Sequence, residues 1–219
     1  MRLTEQEAAD LLTHGDPIEL GRAADAERRR RFGDTVTFIV DRNINYTNIC
    51  VNECRFCAFY TKQDAEDAYL LPLEEILAKV GETAAAGGTQ VMIQGGIHPD
   101  LPLSYYEDML RAIRSRYPSI VIHSFTATEI LYFAQKEGLT VEDTLRRLQD
   151  AGLSSLPGGG AEILVDRVRK LIAPKKIMTE DWLRVMRTAH KIGMESTATM
   201  VIGFGETMAE RVEHMEHIR

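Results

Sequence analysis

The segment Gln90-Val-Met-Ile-Gln94-Gly95-Gly96 is a short apolar run that ends in two glycines and lies between two amphipathic stretches. Residues 72–86 and 104–116, which flank it, carry apolar side chains at helical spacing. A five-residue strand between helices of this length is typical of a βαβ unit, in which helices connect parallel strands. Its consecutive apolar residues indicate a strand buried on both faces.

The same alternation continues along the chain and predicts an α/β fold with five parallel strands. Residues 1–34 are expected to form an N-terminal helical segment of two short helices, which leaves residues 35–219 as the core domain. The other predicted strands cover residues 36–40, 120–124, 154–156 and 195–202, and the later helices cover residues 141–151, 179–192 and 208–219. Whether the sheet is open or a barrel, its ligand site should lie at the carboxyl ends of the strands.

Composition excludes several classes of protein. The 219 residues are 44% hydrophobic and 27% charged, with a formal net charge of −7. No apolar run reaches the roughly 18 residues that a membrane span needs, and the N-terminus lacks the apolar centre of a signal peptide. The mild acidity argues against a nucleic-acid partner. Reduced cysteines point to the cytoplasm.

The three cysteines of the chain lie together in Asn48-Ile-Cys-Val-Asn-Glu-Cys-Arg-Phe-Cys-Ala-Phe-Tyr60. Cys50, Cys54 and Cys57 have the spacing C-x3-C-x2-C, which supplies three thiolates to a [4Fe–4S] cluster and leaves one iron without a protein ligand. An odd number of cysteines argues against a disulfide framework. A zinc site would need a fourth ligand nearby, and the nearest downstream histidine is His98. Inert or redox-regulated thiols are a further alternative.

An iron without a protein ligand can bind the amino and carboxylate groups of S-adenosylmethionine, and segments after other strands are candidates to hold that cofactor. Their glycines allow close approach of backbone to a ligand, and their polar side chains offer hydrogen bonds. The candidate cofactor-binding residues are Phe56, Gln94, Gly95, Gly96, Ser124, Thr126, Gly203, Gly205 and Glu206. Simple glycine turns and helix starts would explain the same residues structurally. The glycines at 158–160 predict a helix N-terminus that begins at about residue 161.

The histidines and carboxylates supply acid–base candidates. His98 and His123 lie near the predicted rim of the sheet, whereas His14, His190, His214 and His217 are expected on solvated helix faces. Arg28 to Arg31 follow acidic residues in a helical pattern, which predicts a solvated, carboxylate-paired face.

The cysteine triad and its aromatic neighbours resemble the radical S-adenosylmethionine superfamily. The surrounding sequence resembles one branch of it, which comprises aminofutalosine synthase, cyclic dehypoxanthinyl futalosine synthase and the second subunit of deazaflavin (FO) synthase. The segments that carry this likeness are Asn45-Tyr-Thr-Asn-Ile-Cys50, Gln94-Gly-Gly-Ile-His-Pro99, Leu156-Pro-Gly-Gly-Gly-Ala-Glu162 and Thr197-Ala-Thr-Met200. Met200-Val-Ile-Gly-Phe-Gly-Glu-Thr207 and Asp41-Arg-Asn-Ile-Asn45 favour the futalosine cyclase within this branch.

The resemblance implies a radical cyclisation of dehypoxanthinyl futalosine to cyclic dehypoxanthinyl futalosine, a step of menaquinone biosynthesis. Such an enzyme needs a one-electron reductant, such as flavodoxin or ferredoxin, and a base near the substrate. Glu129, Glu162 and His98 are the candidates for that base. A sister reaction, or a non-catalytic iron–sulfur or zinc fragment, is the alternative.

The family fold is a partial (βα)6 barrel, and this chain ends after its fifth predicted strand and following helix. We therefore expect about five of six units, a chain truncated at its C-terminus, and a cluster site that lacks part of the substrate wall.

Overall fold

The computed structural model describes residues 2–219 and contains one parallel sheet. Its five strands follow one another in sequence order, and every neighbouring pair is parallel. Helices connect successive strands, as in a partial (βα) barrel, so the predicted α/β class with about five βα units is confirmed. The strands are β1 (Asp41–Ile44), β2 (Gln90–Ile93), β3 (Val121–Ser124), β4 (Ser155–Leu156) and β5 (Glu195–Ser196).

The helices of the described chain agree broadly with the apolar periodicity. The fifth helix was not predicted, and the seventh begins later than the start expected at about residue 161. The helices are α1 (Glu5–His14), α2 (Pro17–Phe32), α3 (Leu73–Ala85), α4 (Leu103–Arg116), α5 (Ala127–Glu137), α6 (Val141–Ala151), α7 (Asp166–Ile172), α8 (Thr179–Lys191) and α9 (Met208–Ile218).

The first strand begins later than expected. Residues 36–40 lie outside the sheet, and their apolar side chains are exposed, with Val36 at 78% and Phe38 at 84%. Pairing with β2 starts at Asp41, which lies opposite Gln90. Strand propensity reflects packing on a half-buried surface. The apolar composition of residues 36–40 is therefore not sufficient to make them pair with a neighbouring strand.

The last strand is shorter than predicted, and threonine side chains beyond its end bond to the backbone of the neighbouring segment after β4. β5 ends at Ser196, and residues 197–202 have no regular structure. The Thr197 hydroxyl accepts a hydrogen bond from Gly158 N at 2.9 Å, and the Thr199 hydroxyl donates one to the Gly158 carbonyl at 2.7 Å. These bonds occupy both backbone polar groups of Gly158, which are then not available to extend the β4–β5 ladder. The neighbouring glycines also do not start a helix at residue 161, because α7 begins at Asp166.

The main core lies between the sheet and the helices α3, α4, α5, α6 and α8. Tyr106 of α4 stacks on Phe133 of α5 with ring centroids 4.1 Å apart, and Phe125 packs edge-on against both rings. These side chains are almost wholly buried. Aromatic pairs in this geometry add about 0.5–1.5 kcal/mol beyond their area burial, so they hold α4 and α5 firmly against the sheet.

The N-terminal helices contribute little to this core. Neither α1 nor α2 has a buried residue, and Arg2 reaches α9 through an ion pair with Glu216 at 2.6 Å. On α2, four successive arginines pair with Asp25 and Glu27, which confirms the predicted carboxylate-paired face. The division at residue 34 stays a prediction. Within residues 2–219, no helix is both long and apolar enough to cross a membrane.

Three histidines are buried, and one of them contradicts the sequence prediction. His214 on α9 was expected on a solvated face, but its exposed fraction is 0%. His98 and His123 are also buried. Burial lowers the pKa of all three imidazoles below the usual 6.5 because a desolvated imidazolium is disfavoured.

The buried histidines predict a loss of stability in mild acid. Below pH 6.5 the unfolded chain binds protons that these native imidazoles resist, so the free energy of unfolding should fall as the pH drops below 6.5. Burial raises the pKa of Glu129, so the contribution of this carboxyl to the free energy of unfolding changes with pH in the opposite direction. Urea unfolding of the wild type and of His123→Gln isolates the histidine contribution. The variant should lose stability less steeply, and equal slopes would contradict this assignment.

Candidate functional site

A cavity of about 300 Å³ opens at the carboxyl ends of the strands, where the sequence predicted a ligand site. It brings together residues from the loops after β1, β2, β3 and β4. All three cysteines line it, and so do most of the candidate residues near them. The predicted site residues on its wall are Cys50, Cys54, Cys57, Phe56, Gln94, Gly95, Gly96, Thr126, Glu129 and Glu162.

The cysteine loop is joined to the loop after β2 by backbone hydrogen bonds. Gly96 N donates to the Thr47 carbonyl at 2.9 Å, and Val51 N donates to the Ile97 carbonyl at 3.1 Å. A Cβ at position 96 would lie 2.1 Å from the Ile49 carbonyl oxygen. The two loops therefore approach more closely than any side chain at residue 96 would permit, which gives this glycine a packing role beside its predicted role near the cofactor.

The other end of the cysteine loop rests on α7. Arg55 N donates to the Ile172 carbonyl at 2.8 Å, and the Arg55 guanidinium donates to the Leu171 carbonyl at 2.9 Å. Glu53 pairs with Lys175 at 2.8 Å. The loop thus spans the cavity from the β2 side to the β4 side.

The middle cysteine is the most enclosed of the three. Cys54 is buried in a small apolar cluster with residues before and on α7, including Ile163, Val168 and Ile172. This burial raises the pKa of the Cys54 thiol to about 11. Cys50 and Cys57 are half-buried and unpaired in disulfides. Iron would have to displace the Cys54 proton, because the thiolate is the form that binds metal.

The donor set suits a cluster. Three thiolates on one short loop face one cavity, and in a [4Fe–4S] cluster each cysteine binds a different iron. Among residues 2–219, no three His, Cys, Asp or Glu side chains converge closely enough to bind one metal ion. Glycines at residues 95 and 96 leave the wall beside the cysteines free of side chains.

Glu129 lies at the floor of the cavity and joins three loops. One carboxylate oxygen accepts hydrogen bonds from the Tyr46 hydroxyl at 2.9 Å and from Gly95 N at 3.3 Å. The other accepts from Thr126 N at 2.7 Å and the Thr126 hydroxyl at 2.9 Å, so that it caps α5. The exposed fraction of Glu129 is 1%, and this burial raises the pKa of its carboxyl. Its oxygens are fully engaged in holding the loops after β1, β2 and β3 together.

Glu162 lies on the opposite wall of the cavity. Its carboxylate pairs with Lys176 at 3.0 Å and lies 3.8 Å from the Arg169 guanidinium. Its backbone has φ +42°, a left-handed conformation that is uncommon for a residue with a side chain. Arg169 is buried and also donates to the carbonyls of Gly160 and Ile177. This network holds the β4 loop in one conformation.

Aromatic side chains form the outer rim. The Phe56 ring lies 5.1 Å from the Phe204 ring, and Lys176 Nζ lies 5.8 Å from the Phe56 centroid. Phe59 and Tyr60 also line the cavity. The loop after β5 therefore contacts the cysteine loop through Phe204, which lies between Gly203 and Gly205 in the sequence.

Five predicted residues do not line the cavity. Ser124 is fully buried, with a hydroxyl that has no hydrogen-bond partner among the described residues, and the buried His98 accepts from Asp100 N at 3.2 Å. Glu206 accepts from Gly203 N and Phe204 N, and chiefly the Gly203 bond lowers its pKa to about 2. Gly203 and Gly205 have positive φ, so both serve this turn. Ligand contacts for these five residues stay predictions.

Sequence reasoning missed three residues of the site. Tyr46 is a tyrosine within an otherwise polar stretch, Lys176 is one of two adjacent lysines, and Arg169 belongs to an ordinary charged helix. What distinguishes these three residues is that their polar groups are buried in the folded chain, and no local sequence pattern predicts that burial. The positive φ of Glu162 could have been suspected from the three glycines before it.

Comparisons with known proteins identify the family of the chain. The radical SAM superfamily model matches residues 44–218. A cyclic dehypoxanthine futalosine synthase of Streptomyces coelicolor is 48% identical over the whole chain, and one of Halalkalibacterium halodurans is 43% identical over the whole chain. A 5-amino-6-(D-ribitylamino)uracil–L-tyrosine 4-hydroxyphenyl transferase of Methanococcoides burtonii is 43% identical over 99% of the chain. The chain spans 56%, 59% and 60% of the lengths of these three relatives.

Solved structures share the fold. Methylornithine synthase aligns with 100% of the chain and 61% of its own, with a TM-score of 0.76 and 16% identity. The FeFe-hydrogenase maturase of Carboxydothermus hydrogenoformans aligns with 99% of the chain and 49% of its own, with a TM-score of 0.74 and 21% identity. At these identities the likeness concerns the fold alone, and it agrees with the partial barrel.

Gly96→Ala should disrupt the cysteine loop. The new Cβ would collide with the Ile49 carbonyl, which is backbone and cannot move aside without moving Cys50. We expect a loss of about 1–3 kcal/mol in the free energy of unfolding, as for overpacked sites. Gly21→Ala is the matched control, because open space surrounds Gly21 on α2, and it should stabilise the protein by about 0.5–1 kcal/mol. Equal effects of the two changes in urea unfolding would refute the close approach.

Glu129→Gln should destabilise the protein although it preserves shape. In either orientation the new amide NH2 faces two donors, either Tyr46 and Gly95 or the two groups of Thr126. An unsatisfied buried donor costs about 1–3 kcal/mol. Glu142→Gln, which removes an exposed pair with Arg146 on α6, should change stability by less than about 1 kcal/mol. A Glu129 variant as stable as this control would show that the network is not structural.

Proposed function

The chain belongs to the radical SAM superfamily, and on that premise we propose that it cyclises dehypoxanthinyl futalosine with the help of a [4Fe–4S] cluster and S-adenosylmethionine. The observation that carries the proposal is the meeting of Cys50, Cys54 and Cys57 with the loops after β2, β3 and β4 on one cavity. A small polar molecule fits a space of about 300 Å³ beside the cysteines.

Each wall of the cavity has a distinct task. The three cysteines hold the cluster, and Gly95 and Gly96 let a ligand approach the backbone. Phe56, packed against Phe204, shields the cluster side from water. When bound and reduced, the cluster and S-adenosylmethionine would supply the radical chemistry that hydrogen-atom abstraction needs. An external one-electron donor such as flavodoxin or ferredoxin would provide the electron.

The cyclisation needs a group that accepts a proton, and the geometry favours Glu162 among the three candidates. Glu162 lines the cavity with one partner, Lys176, at hydrogen-bond distance. Glu129 already accepts four hydrogen bonds, and His98 lies off the cavity wall. We therefore assign the proton acceptor to Glu162 and a structural role to Glu129.

A second candidate function is the transfer of a tyrosine-derived 4-hydroxyphenyl group to 5-amino-6-(D-ribitylamino)uracil. It is favoured by relatives with that name that are 41–44% identical to this chain. The cyclase is preferred because the synthase of Streptomyces coelicolor reaches 48% identity over the full chain, and because Gly203-Phe-Gly205-Glu206 agrees with the cyclase pattern.

Anaerobic reconstitution with iron and sulfide tests the cluster. The wild-type chain should bind about four irons and give a brown protein, and S-adenosylmethionine should change its electron paramagnetic resonance spectrum after reduction with dithionite. Cys54→Ala should lose most of that iron, whereas Ser154→Ala, away from the cavity, should keep it. A colourless protein with one zinc would instead support a zinc-binding module.

Mass spectrometry of single-turnover reactions tests the substrate. The cluster-loaded chain is incubated with dithionite, S-adenosylmethionine and dehypoxanthinyl futalosine, and we expect a product two hydrogen atoms lighter than the substrate. Glu162→Gln should lower its yield at least about tenfold, in the range expected for loss of a general base. A coupled product from tyrosine and 5-amino-6-(D-ribitylamino)uracil, without the cyclised one, would favour the transferase.

A further inference from the structure

His214 is a buried imidazole that none of the functions above uses. It lies on α9, close to the end of the described chain, and its exposed fraction is 0%. Its Nδ1 accepts a hydrogen bond from Leu164 N at 2.9 Å. Since the accepting nitrogen cannot carry a proton, the imidazole is neutral and Nε2 carries the hydrogen. Burial lowers the pKa of His214, in agreement with a neutral ring.

The partner of His214 is two residues from the cavity. Leu164 follows Glu162, whose backbone has the uncommon φ of +42°. The Glu162 carbonyl accepts a hydrogen bond from Val201 N at 3.0 Å. The segment 162–164 is therefore held on both sides, by the loop after β5 and by α9. Residues in uncommon backbone conformations persist only where their surroundings determine them fully.

Loss of the imidazole would release this segment. Leu164 is fully buried, so its N–H would have no acceptor from water. The backbone would then relax toward a conformation that satisfies the N–H, and the Glu162 side chain would move with it. Lys176, which pairs with Glu162 on the cavity wall, would lose its partner.

We propose that His214 is a positioning residue that holds the Glu162 carboxylate in the cavity through the Leu164 amide. It does not line the cavity, and its importance for ligand binding rests on the proposed function of the site. The helix α9 thereby becomes part of the site although it lies behind the wall.

Two variants separate the hydrogen bond from simple packing. In His214→Asn the amide oxygen occupies the place of Nδ1, and it can accept from Leu164 N. In His214→Leu the volume is apolar and the acceptor is lost. The first readout is hydrogen exchange of the ligand-free chain. The peptide around residues 162–164 should exchange at least about tenfold faster in the Leu variant than in the Asn variant, while α5 stays unchanged.

The second readout is the affinity of the reconstituted, unreduced chain for dehypoxanthinyl futalosine, the substrate that Glu162 is proposed to contact, measured by calorimetry at equal iron content. We expect a loss of at least about fivefold for His214→Leu and less than about twofold for His214→Asn. Adding Glu162→Gln to His214→Leu should cause little further loss, because both changes remove the same contact.

Three results would overturn the proposal. These are equal exchange rates in the two variants, equal loss of affinity in both, or fully additive effects of the Leu and Gln changes. If the wild-type chain binds iron but no dehypoxanthinyl futalosine, the proposed function fails, and the exchange rates still decide whether His214 positions the segment.

Discussion

A buried carboxylate is the interaction on which the site depends. Glu129 accepts hydrogen bonds from the loops that follow β1, β2 and β3, through Tyr46, Gly95 and Thr126. A carboxylate away from water is costly unless it is hydrogen-bonded, so the three loops are constrained to converge wherever it lies. The hydrogen bonds of Glu129 thus form the floor of the cavity, and the cysteine loop contacts this floor through Gly96.

On the opposite wall of the cavity the buried charged group is a cation, and it too must be hydrogen-bonded. The buried Arg169 requires acceptors, and it finds them in the carbonyls of Gly160, Ala161 and Ile177. Its position draws the β4 loop inward and places Glu162 beside Lys176. The cysteine loop spans the two walls, since one end bonds to the β2 loop and the other to α7. A cluster held there would face both walls.

Much of this architecture could be predicted from local patterns, and the failures have physical causes. Alternating apolar segments indicate parallel βα units, and the C-x3-C-x2-C spacing indicates the cluster loop. Residues 36–40 have strand composition but no sheet to pack on, so the first strand was misplaced. His214 was assigned to solvent because helical position alone does not reveal that another loop covers it. The hydrogen bonds of Glu129 could not be predicted for a related reason, because Tyr46 and Gly95 are distant from it in sequence.

The sequence by itself determined the fold class, the three thiolates of one loop and the family of reactions, because these depend on residue type and spacing over short distances. Only the tertiary structure decided that Glu162 pairs with Lys176 on the cavity wall, that the oxygens of Glu129 are engaged in joining three loops, and that residues behind the wall support it. Those roles depend on hydrogen bonds between residues 34 to 83 positions apart and on the burial that makes each unmet polar group costly, and neither is present until the chain has folded.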